Sequence, residues 1–504
     1  MNSSLEGHQK EVLVTAEETA KLASDGLRQP LAAELVSRAD HFSSEAAGVL
    51  KHHGIYQQVD RDILEERRVL GNSSEYRYFV RVKVPAGKMS ASAYLVCDRI
   101  ADVYGQENLR VTSRNDLQIH GIRKEHLVSV VRSIRRDAGL TTLGACGDVV
   151  RSVSVSPLAE IHPRYGEFGD KLVSLAEELT QRYLPKTGAY DEVWLATSLE
   201  STGFLSPEKT EESFYGAAYL PRKFKIAIAA PFDNAVDILS NHVGLLAYAP
   251  SGQLVGYDIF IGGGLGFSPR DPSTFSRLAK PFAFVTPEEV IPVLDAILIT
   301  FRDRGDRSDR THARLKYLVE RRGIVSLRAE IQNRLDFVLN EPRGLVPEGS
   351  ISYLGWHKQR QPGLSFYGFW LPNGRIRDIE NGRRYKAALQ TIARAFNPVV
   401  RFTPTHHVIL SDISDEYRIS IDRILSEYNI PQEKEVALLR RHEMACPSFP
   451  HCGRAYAEAE RYLPVLMSTL EHNGFAHEEV IIRLSGCPNG CSRARTAEIG
   501  ILGR

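Results

Sequence analysis

Residues 76–87 read YRYFVRVKVPAG, and residues 364–376 read LSFYGFWLPNGRI. Each has the near-alternating, β-branched and aromatic texture of a strand, and each is stopped by a Pro-x-Gly turn. The text after each turn also repeats. SASAYLVCDRIADVYG (90–105) and RRYKAALQTIARAFN (383–397) have helical spacing, while NLRVTSRNDLQIHGI (108–122) and PVVRFTPTHHVILSDI (398–413) return to strand pattern around a polar turn. Pro85 and Gly87 align with Pro372 and Gly374, Arg110 and Thr112 with Arg401 and Thr403, and Ile122 with Ile413. Two copies predict a pseudo-twofold protein rather than a solenoid, which needs three or more repeats.

Working outward from the two copies, the chain divides as small, large, small, large. Residues 1–65 read as a polar, mostly helical N-terminal extension, running into HHGIYQQVDRDILEERR (52–68), too charged to form a core. The first copy occupies 66–140 and the second 341–425. Between them, 141–340 is a larger α/β segment holding the helical DKLVSLAEELTQRYL, the strand KFKIAIAAP and the glycine run IGGGLGF; 426–504 is the last segment. The expected class is α+β, with two small repeat domains alternating with two larger α/β domains.

Composition limits the functions available. Sixty-three Lys and Arg against sixty-two Asp and Glu leave a net charge of +1, so no global field gathers nucleic acid or an anionic membrane. The N-terminus has no signal-like apolar core, and no apolar run is long enough to span a bilayer, so a cytoplasmic location is expected. Six cysteines in 504 residues are too few for a disulfide scaffold, and four of them fall within the last sixty residues.

Those four lie in ACPSFPHCG (Cys446, Cys452) and SGCPNGCS (Cys487, Cys491). Four thiolates on two turns can surround one metal centre. Five residues between Cys446 and Cys452 exceed the two to four that structural zinc sites favour, whereas iron–sulfur clusters accept varied spacing. Pro and Gly within the turns (Pro447, Pro450, Pro488, Gly490) can aim backbone N–H groups at sulfur.

Other residues have bland readings that compete with functional ones. Lys223 and Lys225 alternate with Phe224 and so share one face of a strand, either on a solvated edge or around a shared anion. Arg81, Arg110, Arg114 and Arg151 stand in or beside strand text, as surface charges or as grips on a buried polyanion. The run DRGDRSDRTHARLKYLVERRG (303–323) reads by itself as a solvated helix. In IGGGLGF the dinucleotide fingerprint fails, because Pro269 stands where its third glycine belongs. Cys146 reads as a small buried residue, with a redox or cross-linking role beside Tyr56 as the alternative.

The paired motifs C-x5-C and Cys-Pro-Asn-Gly-Cys, joined to a duplicated small-large architecture from about residue 52 onward, resemble the sirohaem and [4Fe–4S] sulfite and nitrite reductases. The resemblance implies the duplicated fold of that family, with ferredoxin-like small domains. It makes Cys446, Cys452, Cys487 and Cys491 the ligands of a [4Fe–4S] cluster, with Cys491 also bridging to the sirohaem iron. It places Arg81, Arg151, Lys223 and Lys225 around the substrate anion, and Arg110, Thr112, Arg114, Gln118, Arg314 and Lys316 around the macrocycle and its carboxylates. Lysine at position 225, where nitrite reductases of the family commonly have asparagine, makes the sequence more similar to sulfite reductases.

The implied reaction is the six-electron reduction of sulfite to sulfide, with nitrite reduction to ammonia as the nearest rival and a non-catalytic zinc-binding fragment as a rival of another class. No flavin or nicotinamide segment is read in the chain, so electrons are expected from a separate donor, a ferredoxin or a flavoprotein subunit. The GACGD text before Arg151 leans the expectation toward ferredoxin. Family members also usually continue well past Cys-Pro-Asn-Gly-Cys, so the last segment is expected to be shortened.

Overall fold

A computed structural model describes residues 14–196, 212 and 214–504; residues 1–13, the start of the expected lead-in, lie outside them. The duplicated text forms two five-stranded antiparallel sheets. In the first, the order is Ile55–Val59, Tyr76–Val82, Leu117–Ile122, Leu109–Val111 and Arg375–Ile376. In the second it is Gly355–Lys358, Leu364–Phe369, Val408–Ser414, Val399–Phe402 and Lys88–Ser90. Each copy therefore lends its short strand after the Pro-x-Gly turn to the other copy's sheet.

The turn chemistry explains that exchange. Ala86 and Asn373, the middle residues of the two turns, have φ of 51° and 54°, and Gly87 and Gly374 follow at 73° and 72°. Two successive left-handed residues redirect the chain out of its own sheet, and glycine takes the second without steric cost. Space is equally restrictive. A Cβ on Gly87 would lie 2.8 Å from the Phe402 carbonyl oxygen, and one on Gly374 would lie 3.0 Å from that of Val111. Each turn thus rests on the equivalent strand of the other copy.

The helices Ala91–Tyr104 and Tyr385–Phe396 follow the two exchanged strands and pack against each other, with Lys386 Nζ 3.4 Å from Asp98. Ser90 caps the first of them, its hydroxyl accepting the Ala93 N–H at 3.1 Å. The segment between the copies contains a five-stranded sheet in the order Lys280–Val285, Gly256–Ile261, Val243–Tyr248, Ile226–Ala229, Ser154–Val155. The last segment contains a parallel three-stranded sheet of Met444–Ala445, Ile482–Ser485 and Ile499–Leu502.

The N-terminal reading needs correction. Leu27, Leu31, Ala46, Leu50 and Ile55 are completely buried in the main core, and Ile55–Val59 is a strand of the first sheet although it lies within the stretch read as an extension. Charged text hid a narrow apolar stripe. Even His53 is fully buried, because its ring satisfies both nitrogens: Nε2 bonds the Leu27 carbonyl at 2.9 Å and Nδ1 accepts Trp194 Nε1–H at 2.8 Å.

Candidate functional site

Strands Met444–Ala445 and Ile482–Ser485 are parallel neighbours, so the chain leaves both at the same end of the sheet, into the two cysteine turns. The Cys446 N–H donates to the Leu484 carbonyl at 3.1 Å, and the Gly486 N–H donates to Cys446 Sγ at 3.2 Å. A Cβ on Gly486 would lie 2.0 Å from Ser448 Oγ, so only glycine lets the turns meet so closely. Ser448 (φ 54°) and Gly490 (φ 63°) reverse the chain within each turn.

Cys446 and Cys487 are buried, Cys452 is half-buried and Cys491 is exposed; none forms a disulfide. Burial, then Cys491 and Cys487, push the Cys446 thiol up to about 12. Burial, Cys491 and Cys452 push Cys487 up to about 11, and Cys452 also rises through burial and Cys491. Cys491 therefore lies close enough to act on each of the other three. Yet among the described residues no three His, Cys, Asp or Glu side chains gather tightly enough to hold a single metal ion.

The cations come from three directions. Across the first sheet Arg81 pairs with Gln118, Gln118 with Arg110, and Arg110 with Arg375, making one row over four strands. Directly opposed residues share a face, so this row presents three guanidinium groups and an amide together. Arg110 Nη2 donates to the carbonyl of Ala445, next to Cys446, at 2.8 Å, and Ser113 Oγ donates to that of Cys491 at 3.2 Å. Arg110 and the turn that follows its strand are thereby docked on the two cysteine turns. Arg81 Nε, Arg110 Nε and Gln118 Oε1 are buried without a hydrogen-bond partner.

The second direction is the strand end before Ile226–Ala229. Phe224 is buried and stacks on His242 at 5.5 Å, while Lys223 and Lys225, alternating with it, are half-buried on the opposite side. They do not occupy a solvated edge. Burial, then Arg114 and Arg314, bring Lys225 down to about 7, and burial with Arg314 and Lys225 takes Lys223 well below its ordinary value. Arg151 is 6% exposed; its guanidinium donates to the carbonyls of Ala145 (2.9 Å) and Gly147 (2.7 Å).

The third direction is the charge run, which is not a solvated helix. Its first two residues close the helix Val290–Arg304, the next ten are not helical, and only Leu315–Arg322 forms a helix within the run. Gly266 explains how Arg314 reaches the site: a Cβ there would lie 3.0 Å from Arg314 Nη1 and 3.2 Å from the Asn489 carbonyl oxygen of the Cys-Pro-Asn-Gly-Cys turn. The glycine run brings strand, arginine and cysteine turn into contact. Lys316 is fully buried, its ammonium donating to the carbonyls of Gly266 (2.6 Å), Gly264 and Phe275.

The sequence-predicted residues thus divide into two groups. Arg81, Arg110, Lys225 and Arg314 each respond to the charge of Cys491 and surround it. Arg114 lies nearby but is occupied, donating to Asn241 Oδ1 and the carbonyls of Ser152 and Ile226, each at 2.6 Å. Thr112 holds the turn before Asp116, its hydroxyl accepting the Asp116 N–H at 3.1 Å. Tyr56 stacks on Phe79 at 4.8 Å, and its hydroxyl feels Cys146, Arg151 and Arg81. Several further residues carry no role assigned from the sequence. Lys83 and His120, each two positions from a predicted residue, are buried with no partner on Lys83 Nζ or on either His120 nitrogen. Asp148 and Arg222 form an ion pair at 3.5 Å beside Arg151 and Lys223. The period of two along a strand could have found the first pair; a contact distant in sequence gave no signal for the second.

Two family profiles match the chain: the Nitrite/Sulfite reductase ferredoxin-like half domain over residues 71–136, and the Nitrite and sulphite reductase 4Fe-4S domain over 176–339. A protein named sulfite reductase [NADPH] hemoprotein beta-component from Acidithiobacillus ferrooxidans is 38% identical over 492 residues, 97% of this chain and 85% of that protein. Its namesake from Staphylococcus carnosus is 36% identical, over 95% of this chain and 82% of its own length. Among solved structures, the NirA protein of Mycobacterium tuberculosis superposes with a TM-score of 0.73 at 23% identity, covering 96% of this chain and 82% of that one, a likeness of fold. Similarity of that extent, joined to the cysteine turns and their cation wall, places the chain in the nitrite and sulfite reductase family of oxidoreductases.

Proposed function

We propose that this chain is a sulfite reductase haemoprotein that carries sirohaem and a [4Fe–4S] cluster and reduces sulfite to sulfide. The observation that carries the reading is the exposed Cys491 thiol within a wall of cations, several of them with buried nitrogens lacking partners. Cations that depress one another's ionisation and lack acceptors suit a polyanionic cofactor, whose carboxylates would complete them. Cys446, Cys452, Cys487 and Cys491 would hold the cluster, and Cys491 would join it to the sirohaem iron. Arg81, Gln118, Arg110 and Arg314 would face the cofactor. Arg114, Thr112 and Lys316 would shape its surroundings through the bonds described above. The coupled cofactors supply single electrons in succession to one bound anion.

The chain's own residues then manage charge and protons. Arg81 and Arg151 would neutralise the substrate anion in a site of low dielectric, where such stabilisation is strongest. Lys223 and Lys225 would donate protons to the departing oxygens. An ammonium brought down to about 7, as at Lys225, gives up its proton readily near neutral pH, whereas a guanidinium does not. Lysine rather than asparagine at position 225 favours sulfite over nitrite.

Electrons would come from a separate donor protein. The relatives' name, hemoprotein beta-component of an NADPH sulfite reductase, favours a donor drawing on NADPH over a ferredoxin. Among the described residues no helix is long and apolar enough to cross a membrane. Visible and EPR spectra of the purified protein, with and without sulfite, test the cofactors, and steady-state assays with both anions test the substrate. Sirohaem bands perturbed by sulfite and a higher kcat/KM for sulfite are expected. A colourless protein would refute the cofactor reading, and a higher kcat/KM for nitrite would refute the substrate.

A further inference from the structure

The anion-binding residues rest on a buried carboxylate that lies between the two spans matched by the family profiles. Asp148 is 2% exposed and receives Arg310 through both Nη1 (2.6 Å) and Nη2 (3.0 Å). Lys21 Nζ and Arg222 Nη1 each lie 3.5 Å away. Its main chain is also fixed: the N–H donates to His52 Nε2 at 3.1 Å, and the carbonyl accepts the Leu220 N–H at 3.0 Å.

Lys21 belongs to the helix Ala16–Ala23, far from the site in sequence. Its ammonium donates to the Leu220 carbonyl at 2.7 Å and to the buried carboxylate of Glu18 at 2.5 Å. Arg310 donates to the Pro221 carbonyl at 2.9 Å, and Arg307 to that of Tyr219 at 2.7 Å while pairing with Glu18. Three consecutive carbonyls, 219–221, are thus held by cations that Asp148 and Glu18 anchor. Arg222 and Lys223 follow directly, and Arg151 lies three residues beyond Asp148.

We infer that Asp148 is a positioning residue for the anion site, and that the N-terminal helix, through Lys21, is a working part of that site. The inference rests on the functional reading above. Although burial raises it, Arg310, Lys21 and Arg222 hold the Asp148 carboxyl well below the usual carboxylate range, so it is ionised. Two roles are then open to it, and they differ in sign. As a mere counter-charge, Asp148 weakens the attraction for an incoming anion, and its removal tightens binding. As an anchor that aims Arg151, Arg222 and Lys223, its removal loosens them.

The test uses the cofactor-loaded protein and an optical titration with sulfite, beside steady-state kinetics and thermal melts. Asp148→Asn is expected to raise the sulfite dissociation constant about tenfold and to lower kcat/KM about 100-fold, as displacement of positioned groups does. Lys21→Met should act in the same direction by about threefold, and the double variant should be no worse than Asp148→Asn alone, because both act through one hub. Tighter or unchanged sulfite binding by loaded Asp148→Asn overturns the inference, even if its melting temperature falls. If Asp148→Asn does not retain cofactor, Lys21→Met decides, since it leaves the Asp148–Arg310 pair intact; unchanged binding there overturns the helix's role. A loaded wild-type protein that binds no sulfite would instead sink the functional reading itself.

Discussion

The two copies of the duplicated unit present the same row of positions with different chemistry. In the first sheet the row is Arg81, Gln118, Arg110, Arg375; in the second, by the same pairing, it is Gly368, Ile409, Arg401, Lys88. Arg401 and Lys88 are both neutralised by Glu160, at 2.7 and 2.8 Å, and Arg401 Nε also donates to Ser411 at 2.8 Å. In the first row Glu460 pairs with Arg375 through both oxygens at 2.7 Å but stands 3.4 Å from Arg110, while Arg81 Nε, Arg110 Nε and Gln118 Oε1 lack hydrogen bonds. One row thus keeps polar atoms without partners, while its twin is closed with an acid and with backbone. Backbone geometry, more than net charge, closes the twin: a Cβ on Gly368 would lie 1.9 Å from the Tyr353 carbonyl oxygen, so no side chain can project where Arg81 does.

The comparison can be broken from either side. Gly368→Arg, which restores the first copy's residue to the second, should cost at least about 3 kcal/mol of stability, because backbone rather than a flexible side chain fills the space. Chemical denaturation of variant and parent checks this, and an undiminished midpoint would mean that the second site can open. Arg81→Gly, the reverse exchange, should leave the fold intact and lower kcat/KM for sulfite about 100-fold, the usual loss for one electrostatic donor at a reacting anion.

A third test concerns the unneutralised charge itself. Burial, then Arg151 and Arg114, bring Lys83 down to about 8 despite Asp116, and its ammonium has no partner. Since the folded value lies below the ordinary 10.5, the unfolded chain binds more protons between pH 8 and 10.5, and stability rises with pH across that window. Lys83→Met in the cofactor-free chain should remove about 1.4 kcal/mol per pH unit of that slope and raise the melting temperature at pH 7. An unchanged slope in melts from pH 7 to 10 would assign the charge elsewhere. The smallest effect is expected in the closed copy: Glu160→Gln should cost about 1 kcal/mol and leave the KM for sulfite unaltered.

The repeats and the cysteine turns were open to sequence reading because both depend on local spacing. Alternation, a Pro-x-Gly stop and paired cysteines are properties of short stretches. The charge run 303–323 was not open in that way. Its arginines read as solvated, yet Arg307 and Arg310 reach Glu18 and Asp148, partners nearly 300 and 162 residues distant. Lys316, a cofactor contact by resemblance, donates to carbonyls of the glycine run, a link that local sequence did not signal. The lysines at 223 and 225 shared a face as expected, but only the packing of Phe224 on His242 decided that this face is half-buried rather than a solvated edge.

Composition and local pattern by themselves determined that this chain carries a duplicated α+β unit and two cysteine turns able to serve one centre. They also determined that any anion site must be local, because the net charge of +1 supplies no field. Which cations gather around Cys491, which are spent on carbonyls, and which copy keeps an open row were settled only by tertiary structure. The physical reason is that charge in a protein interior acts through distance and desolvation, and the strand exchange at Gly87 and Gly374 sets both by joining segments that local sequence does not connect.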